Sequence, residues 1–216
     1  MFSYATNSIS ELTRRATRAV AAAIDPVGKS ISIVSSAHRH IHDGDAYSAS
    51  YVVTTAATDA HRSGLLFKTP ATGAKLHCVF GVAASAAATF SVCEAPTIAA
   101  NVGTHTGAPV NRNREELDSS LVYNNATTPA VGQFTTLTEA QIAADGTWDP
   151  GTILRTAPVP AGDGPHAVGG SSRGTQEYVL DADTVYCLLI TNVGANANTH
   201  YLFADWYENT DDESWG

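Results

Sequence analysis

From Ile31 onward the chain is cut into short apolar runs by turn residues, and that rhythm limits it to an all-β fold. Ile31–Ser35, Tyr47–Thr55, Gly64–Thr69, Lys75–Val82 and Ala88–Ala95 are rich in β-branched, aromatic and small residues. Asp43-Gly44-Asp45, Pro70, Thr72-Gly73 and Pro96 punctuate them. Leu117–Tyr123, Gln133–Leu137, Thr152–Thr156, Glu177–Leu180, Thr184–Asn192 and His200–Glu208 continue the series. Phe90 and Val92 alternate with Ser91 and Cys93, as one buried face requires. Val185–Ile190 is apolar on both faces and suits a central strand. Many short strands without long intervening helices predict a β-sandwich of jelly-roll type. At 216 residues and 44% apolar content, the chain can bury one such core plus an appendage. Two longer connections, Asn101–Glu116 and Pro158–Arg173, break the rhythm, and Thr138 and Gln141 have the spacing of a capped helical turn over Thr138–Ala144.

Ahead of the strands the pattern is different. Ser8 and Glu11 have capping-box spacing, and Ile9, Leu12, Ala16, Ala19, Val20 and Ala23 recur at three- and four-residue steps. Arg14, Arg15 and Arg18 fall on the opposite side, and Asp25-Pro26 and Gly28 end the run. This reads as a short amphipathic helix from Ser8 to Ile24, marginal alone in water. The division expected is an anchoring arm over 1–28, a sandwich body over 29–208 and an acidic tail over 209–216.

Charge follows a similar division. Residues 1–42 hold five basic and two acidic groups, a balance of +3; the rest hold seven and nineteen, a balance of −12, within a total of −9. An acidic body repels phosphate backbones, so nucleic acid is not an expected partner. No apolar run reaches the ~20 residues of a membrane span. The polar N-terminus followed by arginines lacks an apolar signal core, so synthesis in the cytoplasm is expected. Cys78, Cys93 and Cys187, odd in number and unclustered, read as buried free thiols rather than disulfides or a zinc site.

Candidate chemistry is sparse. His38, His40 and His42 alternate, which on an extended strand puts three imidazoles on one side, as a metal would want. A cupin-like barrel would need a Glu shortly after them, where Asp43-Gly44-Asp45 stands, and its second motif is spaced wrongly at Pro160, Gly162 and His166. An exposed strand face or interface rim is the plainer reading. No G-x-S-x-G elbow is present, and Gly169–Gly174 lacks the Lys of a phosphate loop. Trp148, near Asp145 and Asp149, reads as a packing anchor rather than a plate for sugars. Arg112 and Arg114, interleaved with Asn111 and Asn113 and followed by Glu115, Glu116 and Asp118, are expected to pair locally or to meet an acidic neighbouring copy. No catalytic residue, metal or cofactor is expected.

The stretch Gly162–Glu208 runs from a glycine-rich loop-strand (GDGPHAVGGSSRGTQEYVL) through Thr184-x-Tyr186-x-Leu188…Thr191-Asn192 to an aromatic-acid Trp206-Tyr207-Glu208 ending. With His42-Asp43-Gly44-Asp45…Tyr51 and Asn111–Arg114, it resembles the head decoration, or capsid cement, proteins of tailed bacteriophages over residues 40–208. The resemblance implies a jelly-roll body, a homotrimer, the major capsid protein as partner and a place on the capsid exterior of the virion. It supplies no catalytic residues. On the residues themselves, Ile9, Leu12, Val20 and Ile24 are expected to bury against the shell while Arg14, Arg15 and Arg18 meet its acidic groups, with Arg112 and Arg114 at a subunit contact. The alternative is a receptor-binding or fibre-tip module whose two long loops recognise a host glycan.

Overall fold

The strand rhythm folds into two packed antiparallel sheets, seen in a computed structural model that describes residues 20–24, 31–71, 75–99, 102–105, 109–115, 120–122, 134–168 and 177–209. The elements are β1 (Val20–Ile24), β2 (Ile31–Ser35), α1 (Ser36–Asp43), β3 (Ala46–Thr55), β4 (Arg62–Lys68), β5 (Lys75–Ala84), β6 (Ala88–Glu94), β7 (Thr104–His105) and β8 (Val110–Asn111). They continue with β9 (Thr135–Thr138), α2 (Glu139–Ala144), β10 (Thr152–Val159), β11 (Gly162–Val168), β12 (Tyr178–Leu180), β13 (Val185–Asn192) and β14 (Asn198–Asn209). The first sheet runs β11-β5-β14-β3-β8, with β12 also beside β5; the second runs β10-β6-β13-β4-β9-β7.

The pairings are nested. β3 joins β14, β4 joins β13, β5 joins β11 and β6 joins β10, all antiparallel. The chain is thus one long hairpin, rolled so that β3, β4, β5 and β6 fall in alternate sheets. This is the jelly-roll order expected from the sequence, and it places the long open edge β10 on one side.

Alternation along each strand builds the core. Leu65 and Phe67, Phe80 and Val82, Phe90 and Val92, Tyr186 and Leu188, Leu202 and Trp206 all point between the sheets and are buried. Phe67 is its hub, with ring centroids 5.0 Å from Phe134, 5.9 Å from Tyr186 and 6.2 Å from Phe80. β13 lies between β6 and β4, as its two apolar faces predicted. Cys78, Cys93 and Cys187 are free and buried; burial pushes the Cys93 thiol up to about 11 and Cys187 well above its ordinary value, so neither is a ready nucleophile.

Three sequence expectations are corrected. Val20–Ile24 is a strand, not the end of a helix: it pairs antiparallel with β2, Ile24 opposite Ile31 and Val20 opposite Ser35. A ladder partner outweighs the helix preference of the three alanines, and β-branched Val20 and Ile24 at the ends suit a strand. The rest of that expected helix lies outside the described residues. Residues 120–122 are not strand. They are pinned by a buried carboxylate, with Ser120 Oγ donating to Glu208 Oε1 at 2.5 Å and Leu121 N–H donating to both carboxylate oxygens at 2.9 and 3.0 Å. Burial pushes the Glu208 carboxyl up despite these donors and the indole N–H of Trp206. Finally, much of Pro158–Arg173 is strand, because an edge position beside β5 tolerates Gly162, Gly164 and Pro165.

Candidate functional site

The root of the arm is fixed by backbone capture. α1 ends at Gly44, whose φ of 84° only glycine takes at little cost. Gly44 N–H donates to Ile41 O and Asp45 N–H to His40 O, the two bonds of a Schellman stop. Asn113 Nδ2 then donates to the His42 carbonyl at 2.9 Å, and Asn111 Nδ2 to the Gly44 carbonyl at 2.7 Å. In the Asn111–Arg114 segment the asparagines hold the joint, each also closing a turn on the amide two residues on. Arg112 Nη1 lies 4.0 Å from Asp205 on β14, and Arg114 is exposed.

The three histidines do not line a strand. They stand on α1, where alternate residues point to different sides. His40 stacks on Tyr207 with ring centroids 4.2 Å apart, and His77 stacks on the same ring at 4.7 Å. Two parallel rings at these distances must flank Tyr207, so their nitrogens do not converge on one ion. His40 Nδ1 lies 3.7 Å from Asp45, and His77 Nδ1 lies 3.5 Å from Glu177, which also accepts the Tyr207 hydroxyl. His42 is exposed, and the His38 side chain is outside the described residues. Among the described residues no group of three or more His, Cys, Asp or Glu is placed to hold a metal.

Both sheets have apolar outer faces, treated differently. On the second sheet, Leu66, Cys93, Leu137, Cys187 and Leu189 are buried under Ile142 of α2, with Ile98, Val102 and Trp148 packed against them. Thr138 N–H donates to Gln141 Oε1 to start α2, as its spacing predicted. Asp145 closes the cover by accepting Ala99 N–H at 2.9 Å and the Thr147 hydroxyl at 2.7 Å. Trp148 is the packing anchor anticipated.

On the first sheet, alternation turns Val52 of β3, Val79 and Ala83 of β5, and Tyr201 and Phe203 of β14 outward. Tyr201 and Phe203 lie against each other, centroids 5.6 Å apart. Gly81 leaves the space the Phe203 ring fills: a Cβ there would sit 1.9 Å from its Cζ. Val110, opposite Ser48, and Val179, opposite His77, extend the same face. Outward positions of an antiparallel sheet are ordinarily polar. Here Val52, Val110 and Val179 are 59%, 50% and 56% exposed, half of the six large apolar side chains exposed among the described residues. Charged groups on it, among them Lys75, Arg112, Asp205 and Glu177, stand at the arm-root end.

One interior constellation looks catalytic. Ser63 Oγ is 2.6 Å from His200 Nδ1, and His200 Nε2 is 2.7 Å from Asn192 Oδ1. Asn192 Nδ2 donates to Thr55 Oγ1, so Oδ1 faces the ring, Nε2 carries the proton and Nδ1 accepts from Ser63. All three side chains are sealed, at 1%, 0% and 4% exposure, and burial drives the His200 pKa down to about 4. The group ties β4 and β13 of one sheet to β3 and β14 of the other. A cavity of about 360 Å³ nearby is lined by Thr58, Asp59, His61, Arg62 and Glu139. Its Arg62 and Glu139 are spent on each other, bidentate at 2.6 and 2.8 Å, with Arg62 N–H adding a third bond.

Of the residues singled out by sequence, Arg112 and Arg114 sit at the arm root and Val20 and Ile24 on β1; Ile9, Leu12, Arg14, Arg15 and Arg18 lie outside the described residues. The open face itself was missed. Its signal was present in His200–Glu208, where Tyr201 and Phe203 make the outward phase as apolar as the inward Leu202, Ala204 and Trp206. No family model, curated protein or solved structure matches the chain.

Proposed function

We propose that this is a virion structural protein, a decoration protein that binds the outside of the capsid as a homotrimer and stabilises the head by adhesion rather than turnover. The observation that carries the reading is an apolar sheet face left partly open among the described residues, beside a capped, doubly stacked arm root. An arm held by Asn111, Asn113 and the His40–Tyr207–His77 stack transmits force to the body instead of swinging from it. The charge division and the resemblance over residues 40–208 support the same reading. The partner is the major capsid protein, whose acidic groups meet Arg14, Arg15 and Arg18. Apolar arm residues (Ile9, Leu12, Val20 and Ile24) are each worth ~1.5–3 kcal/mol if fully buried, before the ordering costs of association. Three arms on one trimer multiply this through effective concentration.

Because β1 pairs with β2, the arm ends before α1, and a cut at residue 28 would orphan β2. Deleting residues 1–35 should leave a folded body that no longer binds particles in a co-sedimentation assay. Undiminished binding by that truncation would remove the arm from the mechanism. Absence of the chain from purified particles would end the reading, and a few copies per particle would favour the fibre-tip alternative.

A further inference from the structure

Where β3 turns into β4 and β13 into β14, the cavity of about 360 Å³ is lined by Thr58, Asp59 and His61 of the first connection, Arg62 of β4, Glu139 of α2 and Thr191 of β13. We propose that it binds one neutral sugar ring, free or at the end of a glycan.

The wall is fixed before any ligand arrives. Asp59 Oδ1 accepts the Ala60 N–H at 3.0 Å and, from the second connection, the Gly194 N–H at 2.8 Å. Asn192 N–H donates to the His61 carbonyl at 2.9 Å. Ala60, which also lines the cavity, is held at φ 57°, a left-handed conformation that a residue with a Cβ keeps only where its surroundings enforce it.

The lining selects the ligand. Arg62 gives Nε and Nη2 to the two oxygens of Glu139 and its backbone N–H to the same carboxylate, so neither side chain can swing. Nη1 lies outside that pair and is still a donor, while each carboxylate oxygen has a second lone pair to offer. Both side chains stay within reach of solvent, at 29% and 25% exposure. A rigid donor beside a rigid acceptor matches two neighbouring hydroxyls, each of which both donates and accepts. Methyls of Thr58, Ala60 and Thr191 add apolar surface for the C–H face of a ring. An anion is disfavoured, because Glu139 neutralises Arg62, Asp59 adds a negative charge, and the residues after 42 carry −12. The volume is at the low end of the roughly 300–1,000 Å³ of small-molecule sites, room for one ring rather than a chain. The site lies on neither 101–116 nor 158–173, the two connections first considered for glycans. Repeated over many copies, a weak site becomes firm attachment to a sugar-coated surface. Sugar binding rests on the cavity and not on the capsid reading, so the isolated chain tests it.

Saturation-transfer difference NMR on the full chain, with glucose, galactose, mannose and N-acetylglucosamine and with neutral oligosaccharides ending in each, should show transfer to at least one ring, with a Kd of about 1 mM. Transfer to the free sugars makes the ring alone sufficient; transfer confined to the oligosaccharides assigns the site to a glycan end. Amide shifts on titration should centre on residues 58–62 and Gly194. Thr58→Trp, on an exposed residue, fills the cavity and should weaken binding at least about tenfold, whereas Thr152→Trp, exposed on β10, should leave it unchanged. Far-ultraviolet circular dichroism checks that both fold, and the wild-type amide shifts decide the site independently of either. No transfer from any of these sugars, shifts centred elsewhere, undiminished binding by a folded Thr58→Trp, or tighter binding of inorganic phosphate than of any sugar would each overturn the proposal.

Discussion

The two outer faces of this sandwich are chemically alike and structurally opposite. Leu66, Cys187 and Leu189 on one and Val52, Tyr201 and Phe203 on the other would read the same in any hydropathy profile. The first set lies beneath Ile142, Trp148 and Ile98 and belongs to the stability of the fold. In the second set Val52 is exposed and Tyr201 and Phe203 are half-buried, and the face is flanked by the joint from which the arm departs. An apolar residue on a strand is therefore no sign of burial by itself, and only its surroundings tell whether the chain covers it.

That contrast can be broken most directly by truncation. Leu66→Ala, at 0% exposure, should cost about 3 kcal/mol by urea unfolding, from lost transfer energy plus the cavity left beneath α2. Val52→Ala should stay within about 0.5 kcal/mol in the dilute, monomeric chain. Equal losses would mean that the first sheet's face is covered after all.

Both faces share one interior, and acid should undo it as a unit. The folded His200 pKa of about 4 lies below its unfolded value of 6.5, so the unfolded chain binds the extra proton between those values. The stabilisation is complete above pH 6.5 and lost as pH falls toward 4, amounting to about 2 kcal/mol after allowance for screening. Carboxyls elsewhere in the fold titrate with opposite signs. The pairing of Glu139 with Arg62 holds its carboxyl below 4.5, so that stabilisation disappears only under pH 4.5. Glu208, raised by burial, binds protons in the folded state and partly offsets the loss. Unfolding measured at pH 7 and pH 4.5 in the wild type and in His200→Gln isolates the imidazole: the variant should show the smaller drop. An identical drop would move the acid response out of the Ser63–His200–Asn192 group.

At the arm-root end of the open face, Asn111→Ala should cost about 1–2 kcal/mol, since it leaves the buried Gly44 carbonyl without its donor. Arg114→Ala, on an exposed side chain, should stay within about 0.5 kcal/mol. Thermal unfolding of the two separates a structural segment from a surface charge pair.

The strands were legible because their signal is local: alternation at Phe90–Cys93, double apolarity at Val185–Ile190, and turn residues between runs. Even the jelly-roll class followed from spacing alone. What sequence could not supply was any relation set by distant partners. His38, His40 and His42 alternate equally well in a strand or a helix, and only the stop at Gly44, read by Asn111 and Asn113 from far along the chain, fixes the choice. Val20–Ile24 was misread for the same reason, its partner β2 being invisible to a helical count. In Asn111–Arg114 the charged residues drew attention, yet the neutral amides carry the contacts, because a buried carbonyl needs a donor more than a surface carboxylate needs a cation.

The smallest test compares two glycines, one turned outward on each face. A Cβ at Gly64 would stand 3.1 Å from Cys187 Sγ and 3.5 Å from Leu137 Cβ, beneath the cover of α2, where neither neighbour has room to retreat. Gly64→Ala should therefore cost about 1 kcal/mol, at the low end of overpacking. A Cβ at Gly81 would overlap the Phe203 ring far more severely, at 1.9 Å. Judged by distance alone it should be the worse substitution. The ring, however, is the far end of a side chain on an open face and can swing outward, so Gly81→Ala should change the stability of the monomeric chain by less than about 0.5 kcal/mol. Urea unfolding of the dilute chain ranks the pair, and a Gly81→Ala penalty exceeding that of Gly64→Ala would show that both faces are equally sealed.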